Sequence, residues 1–294
     1  MTTEVESEGR VAVPGGNVWY RITGGGPGVP LLVLHGGPGS GHDYLEPLEA
    51  LGDERPVVFY DQLGCGRSDI PDDASLWVVE RFAREVQAVR EGLGLERVHL
   101  YGQSWGGFLA IEYLTDRPEG VVSAVLANTA ASSKAFEREA RLRVAELPPA
   151  TQSAIETCEA GADYESAEYR AATIEYYQRF VCRSLPWPDF VTRTVANSEA
   201  SPTYKYMWGP SEFTMTGTLA SWDRTADLGK IEVPTLVICG EHDEAAPSLS
   251  EEIHRGVAGS ELAVIPDASH LMHIERPEAV FARVREFLAR AEAA

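Results

Sequence analysis

Lysine is nearly missing from this sequence. It occurs only at Lys134, Lys205 and Lys230, and even with arginine the 25 basic residues face 45 acidic ones, a formal net charge of −20. A surface so short of positive charge repels phosphate backbones and anionic headgroups, which argues against nucleic acid or an anionic membrane as partner. Cysteine is scarce as well. Cys65, Cys158, Cys182 and Cys239 are widely spaced and fit no zinc or redox pattern, so free thiols in a reducing cytoplasm are expected. No apolar run approaches the roughly 20 residues of a membrane span, and the acidic stretch Met1–Glu8 has no apolar centre of the kind a signal peptide needs. No Gly-Lys-Ser/Thr follows the glycine-rich Gly24–Gly28, which reads as a turn and not as a phosphate loop. No pair of histidines has metal-ligand spacing on a helix.

What is present describes a protein with a real core: 294 residues, 44% hydrophobic and 24% charged, enough for one large α/β domain or two ordinary ones. Two β-prone runs, Arg10–Val13 and Val18–Ile22, flank a hairpin turn at Pro14–Asn17. Continuous apolar runs typical of strands covered on both faces follow at Leu31–His35, Val57–Tyr60, Arg97–Tyr101, Val121–Ala127, Val233–Gly240 and Glu261–Ile265. Helical spacing lies between them over 76–92, from Phe108, over 247–257 and over 277–291. This alternation predicts a mostly parallel central sheet with helices on both faces. Residues 129–221 break the pattern, being helical, mixed polar and rich in aromatics. The expected organisation is an α/β core from 1–128 and 222–294 with an inserted helical cap at 129–221.

The chemistry gathers around Gly102-Gln103-Ser104-Trp105-Gly106-Gly107, which follows a strand and opens a helix. That context is what a serine nucleophile elbow requires, with small residues where the turn crowds the backbone. A serine hydroxyl needs a base, and the base needs an orienting group. In the α/β-hydrolase order these follow as acid, then histidine, each after a late strand. Gly240-Glu241-His242-Asp243-Glu244 and Pro266-Asp267-Ala268-Ser269-His270 occupy those places. The expected triad is Ser104, Asp243 and His270, at the carboxyl ends of parallel strands. Glu241 and Glu244 compete with Asp243, and His273 with His270; in some hydrolases the acid follows an earlier strand, where this chain has Asn128. His99, His242 and His254 read as satisfied surface or core groups. Oxyanion donors are expected from the backbone N–H groups of Trp105 and of Gly37, in the loop His35-Gly36-Gly37-Pro38-Gly39. The loop Asp61–Asp69 reads as structural, with Asp61 and Arg67 a candidate pair.

The strings HGGPG (35–39), YDQLGCGRSD (60–69), GQSWGG (102–107), PWP (186–188), MWGPSEF (207–213), GEHDE (240–244) and SHLMHIERPE (269–278) together resemble the proline iminopeptidases, serine peptidases of the α/β-hydrolase fold. The resemblance runs through nearly the whole chain and is thinnest over 130–180. It implies removal of an N-terminal residue, preferably proline, from short peptides, amides or arylamides through an acyl-enzyme, without metal or cofactor. It further implies that Glu212 and Glu244 bind the cationic α-amino group, assisted by Tyr204. A compact apolar pocket for the proline ring would then take its walls from Trp105, Tyr206, Trp208 and Phe213. Two other readings share the scaffold: an amino-acid amidase or esterase, and a ligand-binding protein that retains catalytic residues.

Overall fold

The computed structural model describes residues 5–293, and the side chains from Ser7 onward; the first four residues of the acidic N-terminal stretch and Ala294 lie outside the described residues. Eight strands form one sheet: β1 (Val5–Val13), β2 (Gly16–Thr23), β3 (Leu31–Leu34), β4 (Val57–Tyr60), β5 (Val98–Gln103), β6 (Val121–Ala127), β7 (Thr235–Gly240) and β8 (Glu261–Ile265). Their spatial order is β1-β2-β4-β3-β5-β6-β7-β8. The β1–β2 hairpin is antiparallel and joins β4 antiparallel, whereas every pairing from β4 to β8 is parallel.

The continuous apolar runs are explained by two covered faces. Leu32, Leu34, Val58, Tyr60 and Leu100 point into one core, against α1 (Val79–Gly92), α2 (Trp105–Thr115) and α8 (Pro247–Gly256). Their neighbours Leu31, Val33, Val57, Phe59 and Tyr101 point into the other, against a 3₁₀ segment at Asp43–Leu51 and the last helix, α10 (Pro277–Ala293). The helical spacing over 76–92 resolves into a 3₁₀ turn at Ala74–Leu76 and α1, whose first residue is Val79. The segment at 43–51 and the one-turn α9 (Met272–Glu275) gave no periodic signal, being too short for one.

Between β6 and β7 the chain leaves the sheet and forms α3 (Ser133–Val144), α4 (Pro149–Ala160), α5 (Ala167–Phe180), α6 (Asp189–Ala200) and α7 (Pro202–Met207). The end of α5 is joined to the core by backbone bonds. The Phe180 carbonyl accepts from the N–H groups of Glu244 (3.3 Å) and His270 (3.1 Å), and Val181 O accepts from Leu271 N–H (2.8 Å). All four cysteines are free and buried. Among the described residues, no helix is long and apolar enough to cross a membrane.

Candidate active site

Strand β5 runs to Gln103 and α2 begins at Trp105, so a single residue makes the turn. That residue is Ser104, with φ 57° and ψ −124°. A left-handed φ in a residue other than glycine costs on the order of 1–3 kcal/mol and persists only where its surroundings fix it. Here they do. Ser104 N–H donates to Ala127 O (3.0 Å), and Ser104 O accepts from Gly107 N–H and from Thr129 Oγ1, each at 2.8 Å. Gly106 is required by space, because a Cβ there would lie 1.9 Å from the Leu34 carbonyl oxygen.

Asp243 and His270 meet as their positions predict, His270 Nδ1 lying 2.7 Å from Asp243 Oδ1. Both are buried. The carboxylate is held from two further sides: Ala245 N–H donates to Oδ1 (2.9 Å), and Asn128 Nδ2 donates to Oδ2 (2.6 Å). Thus Asn128, which stands where other hydrolases carry the acid, holds the acid that this chain has. Its only signal in sequence was that position after β6. Glu241 points outward and accepts from the Asp267 N–H. His273 is buried on Tyr44, with Nε2 2.9 Å from the Tyr44 carbonyl oxygen, and burial lowers its pKa to about 4. His99 lies between Ser123 and Glu292, and His254 bonds Ser260.

Gln103 ties the elbow to the two loops around it. Its Nε2 donates to the His270 carbonyl (3.2 Å), its Oε1 accepts from the Tyr44 hydroxyl (2.5 Å), and that hydroxyl accepts from Gly36 N–H (2.8 Å). A Cβ on Gly36 would lie 3.1 Å from Ser104 Cβ, so the 35–39 loop abuts the serine side chain. Gly37 has φ 109°, and a Cβ there would sit 2.6 Å from Gly39 N. Among the described residues, neither the Gly37 nor the Trp105 N–H has an acceptor.

The 60–69 loop supports the 35–39 loop. Gln62 N–H donates to His35 Nε2 (2.9 Å), Gln62 Nε2 donates to His35 O (2.8 Å), and Gln62 Oε1 accepts from the Trp105 indole (2.8 Å). Burial lowers the His35 pKa to about 4, consistent with a neutral ring accepting at Nε2. Asp61 is not paired with the Arg67 guanidinium, contrary to the expectation from sequence. Its carboxylate accepts from the Arg67 backbone N–H (2.8 Å) and pairs with His42 Nδ1 (2.7 Å), while the guanidinium lies over the Trp19 ring. Burial alone would raise the Asp61 pKa, but the His42 bond and charge outweigh it and hold it at about 2.

Glu212 and Glu244 converge on the same place from different parts of the chain. Glu244 Oε1 lies 3.6 Å from His270 Nε2. Glu244 is fully buried, and neither of its carboxylate oxygens has a hydrogen-bond partner. Burial pushes its pKa well above the usual carboxylate range, reinforced by the charges of Glu212 and Asp243. Glu212 Oε1 accepts from the Tyr204 hydroxyl (2.8 Å), and burial raises its pKa too. A buried and a half-buried carboxylate brought together with no lysine or arginine paired to either, among the described residues, form a site suited to a cation.

The expected aromatic walls divide. Trp208 packs edge-on against Phe136 (5.0 Å between centroids), and Phe136 in turn meets His270 edge-on (6.5 Å). Phe136, unnoticed in the sequence, is the ring against the histidine. Phe213 packs on Tyr176 (4.8 Å). The Trp105 ring belongs to the core beneath the elbow, against Phe82 and Phe108. Tyr206 is 44% exposed and does not join the group. Two residues along a helix is a turn of about 200°, so with Tyr204 facing Glu212, Tyr206 faces out.

Among the described residues, two groups of acidic and imidazole side chains have the proximity of metal ligands, but neither includes Ser104, Asp243 or His270. In the first, His42, Asp43 and Glu46 are engaged by Asp61 and Arg193. The second, Glu241, His242 and Asp267, lies at the surface.

A serine at a strand-to-helix elbow, with an Asp–His pair on loops tied to that elbow through Gln103, on a mostly parallel sheet, is the plan of an α/β hydrolase, and residues 29–277 match the family model of the alpha/beta hydrolase fold. The chain belongs to that family and, within it, to the proline iminopeptidases. It is 38% identical over 283 residues to the proline iminopeptidase of Heyndrickxia coagulans, covering 96% of this chain and 98% of that one. It is 36% identical over 287 residues to the proline iminopeptidase of Lactobacillus acidophilus, covering 96% and 97%. A crystal structure of the Mycobacterium smegmatis proline iminopeptidase superposes with a TM-score of 0.91 at 37% identity, over 98% of this chain and 99% of that one. The crystal structure of VinJ superposes with a TM-score of 0.95 at 36% identity, over 98% and 100%.

Proposed function

We propose that this chain is a serine aminopeptidase that releases an N-terminal residue, preferably proline, from short peptides, amides or arylamides. His270 takes the Ser104 Oγ proton as the serine attacks the scissile carbonyl, and Asp243 keeps the imidazole oriented through Nδ1. The oxyanion is received by the Gly37 and Trp105 N–H groups; losing one such donor typically costs about 2.7–4 kcal/mol of transition-state stabilisation. The amine leaves with the proton from His270, and water, activated by the same base, hydrolyses the acyl-enzyme. No metal or cofactor enters the scheme.

The observation that carries the substrate class is Glu244, buried without a partner 3.6 Å from the base. In an N-terminal residue the amino nitrogen is one carbon away from the scissile carbonyl. An anchor for it must therefore stand within a few ångströms of the catalytic atoms, as Glu244 does. A protonated proline nitrogen carries two N–H groups, one for Glu244 and one for Glu212, with Tyr204 orienting the latter. Residues 129–221 act in this reading as a cap on the core formed by 1–128 and 222–294, bringing Glu212 and Tyr204 over the site. Trp208 and Phe213, with Phe136, form the apolar wall. The proposed partner is a small peptide or amide with a free amino terminus, not nucleic acid or a membrane, met in the cytoplasm, where four free thiols are stable.

Purified protein assayed on proline arylamide, other aminoacyl arylamides, prolinamide, Pro-Gly peptides, N-blocked proline arylamide and simple esters tests the proposal. Proline arylamide should be the preferred arylamide, the N-blocked form should be inert, and Ser104→Ala should abolish turnover while remaining folded. Equal turnover of blocked and free substrates would refute the amine-reading role. Faster turnover of amino-acid amides or esters than of peptides would instead make the chain an amidase or esterase, and ligand binding without turnover a receptor.

A further inference from the structure

His270 stands on a loop between β8 and α9, so its imidazole is only as well placed as that loop. The Asp243 bond fixes one ring nitrogen. The backbone is fixed by the end of α5, through Phe180 O to His270 N–H and Val181 O to Leu271 N–H. One side chain closes this arrangement from the opposite direction. The Glu275 carboxylate, at the end of α9, accepts from the Ser269 N–H at Oε2 (2.6 Å) and from the Ser269 hydroxyl at Oε1 (2.7 Å). Its Oε1 also accepts from the Arg183 N–H, just beyond α5. Ser269 Oγ lies in turn 3.0 Å from Val181 O. Glu275 thus holds the residue before the base and Arg183, three residues beyond the α5 end, on a single carboxylate. Among the described residues, no cation lies within ion-pair distance of that carboxylate, so its bonds all go to the two segments. Hydrogen bonds to an ionised acceptor are roughly twice as strong as neutral ones.

We propose that Glu275 is a positioning residue for the general base, locking the histidine loop to the end of α5. The inference rests on the reading of His270 as the base. Glu275 lies outside the substrate pocket and touches the reaction only through Ser269 and the backbone. Its loss therefore changes how well His270 is aimed, not how substrate binds. A displacement of about 1 Å in a catalytic group can cost on the order of 100-fold in rate.

Glu275→Gln keeps the size but turns an amide nitrogen toward at least one of the N–H donors. The measurements are kcat and KM on proline arylamide, the rate of Ser104 labelling by a fluorophosphonate, and the downfield ¹H NMR signal of the His270 Nδ1 proton. In the folded variant kcat and the labelling rate should fall at least tenfold, KM should stay within twofold, and the downfield signal should broaden. A folded variant with kcat and labelling within twofold of wild type would overturn the proposal, as would a rise in KM matching the fall in kcat. If Glu275→Gln does not fold, Ser269→Ala carries the test, since it removes the hydroxyl with its contacts to Glu275 and Val181 O and leaves the carboxylate in place. It should lower kcat and labelling about threefold at constant KM, and unchanged rates would overturn the proposal. The labelling arm needs no amine. Failure of wild type on every free-amine substrate would sink the aminopeptidase reading while still leaving the role of Glu275 decided.

Discussion

Replacing Glu244 with glutamine should make the protein more stable at neutral pH as it makes it a worse enzyme. Glu244 is fully buried, its oxygens have no hydrogen-bond partner, and the Tyr176 hydroxyl faces it without closing a bond. Burial and the negative charges of Glu212 and Asp243 raise its pKa well above 4.5, the ordinary value of a glutamate. The raised pKa sets the sign of the pH dependence. The folded state holds this proton more tightly than the unfolded chain, so the contribution is fully present below 4.5 and is lost as pH rises toward the folded pKa. Across that window wild type loses roughly 1 kcal/mol per pH unit at this residue, whereas the amide loses nothing. The amide carries a pH-independent cost of its own, because it too lacks partners. The diagnostic is therefore the slope. Thermal unfolding of both proteins from pH 5 to 8 should show the melting temperature of Glu244→Gln gaining on wild type as pH rises toward the folded pKa, by about 2 °C per pH unit within that window. KM for free-amine substrates should rise at least tenfold, the loss of a charge-assisted bond. A stability difference independent of pH, or an unchanged KM, would refute a proton-holding carboxylate that the substrate's cation satisfies.

Two further predictions concern the scaffold. His273 is buried neutral with a pKa near 4, so its contribution to stability is present above 6.5 and lost as pH falls toward 4. His273→Gln, which can still donate to the Tyr44 carbonyl, should close the stability gap to wild type by roughly 1 kcal/mol per pH unit over that range, as read by urea denaturation at pH 7 and 5; a constant gap would argue against it. Asn128→Ala removes a hydrogen bond to the buried Asp243 carboxylate, worth about 1.5–3 kcal/mol. Turnover of proline arylamide should fall roughly tenfold or more with KM preserved, and wild-type turnover would refute the role of Asn128.

The Ser104 elbow and the Asp243–His270 pair were legible because they follow β5, β7 and β8, strands of one parallel run in the sheet. In such a sheet, chain order fixes which loops share an edge. The two-faced burial of β3, β4 and β5 was legible for a related reason, since a strand covered on both sides has no polar alternation to obscure it. Contacts between loops of distant origin were not. The Asp61–His42 pair and the Tyr44–Gln103 bond depend on how the 35–51 segment folds back over the elbow, through a 3₁₀ stretch with no periodic signature. Tyr206 was misjudged because α7 is only six residues long, too short for a pattern to reveal which face turns inward.

The same distinction separates Glu212 and Glu244 from every other acid in the chain. Most of the 45 acidic residues sit where water can solvate them, and composition alone gives no reason to single out two. Glu244 was singled out by its place beside the triad acid, and Glu212 by resemblance within a 207–213 segment that carries no chemistry of its own. What the fold adds is cost. A carboxylate with no partner is destabilising wherever it is buried, and a protein near its stability threshold tolerates such a group best where function needs it. Tyr204 supports one glutamate through its hydroxyl, and among the described residues no lysine or arginine pairs with either; the imidazole of His270, 3.6 Å from Glu244, is the base itself. The ammonium group of a bound substrate would supply the positive charge. Binding would then relieve that cost, and an N-blocked substrate, which cannot relieve it, should be refused for the same reason that Glu244→Gln should be stable.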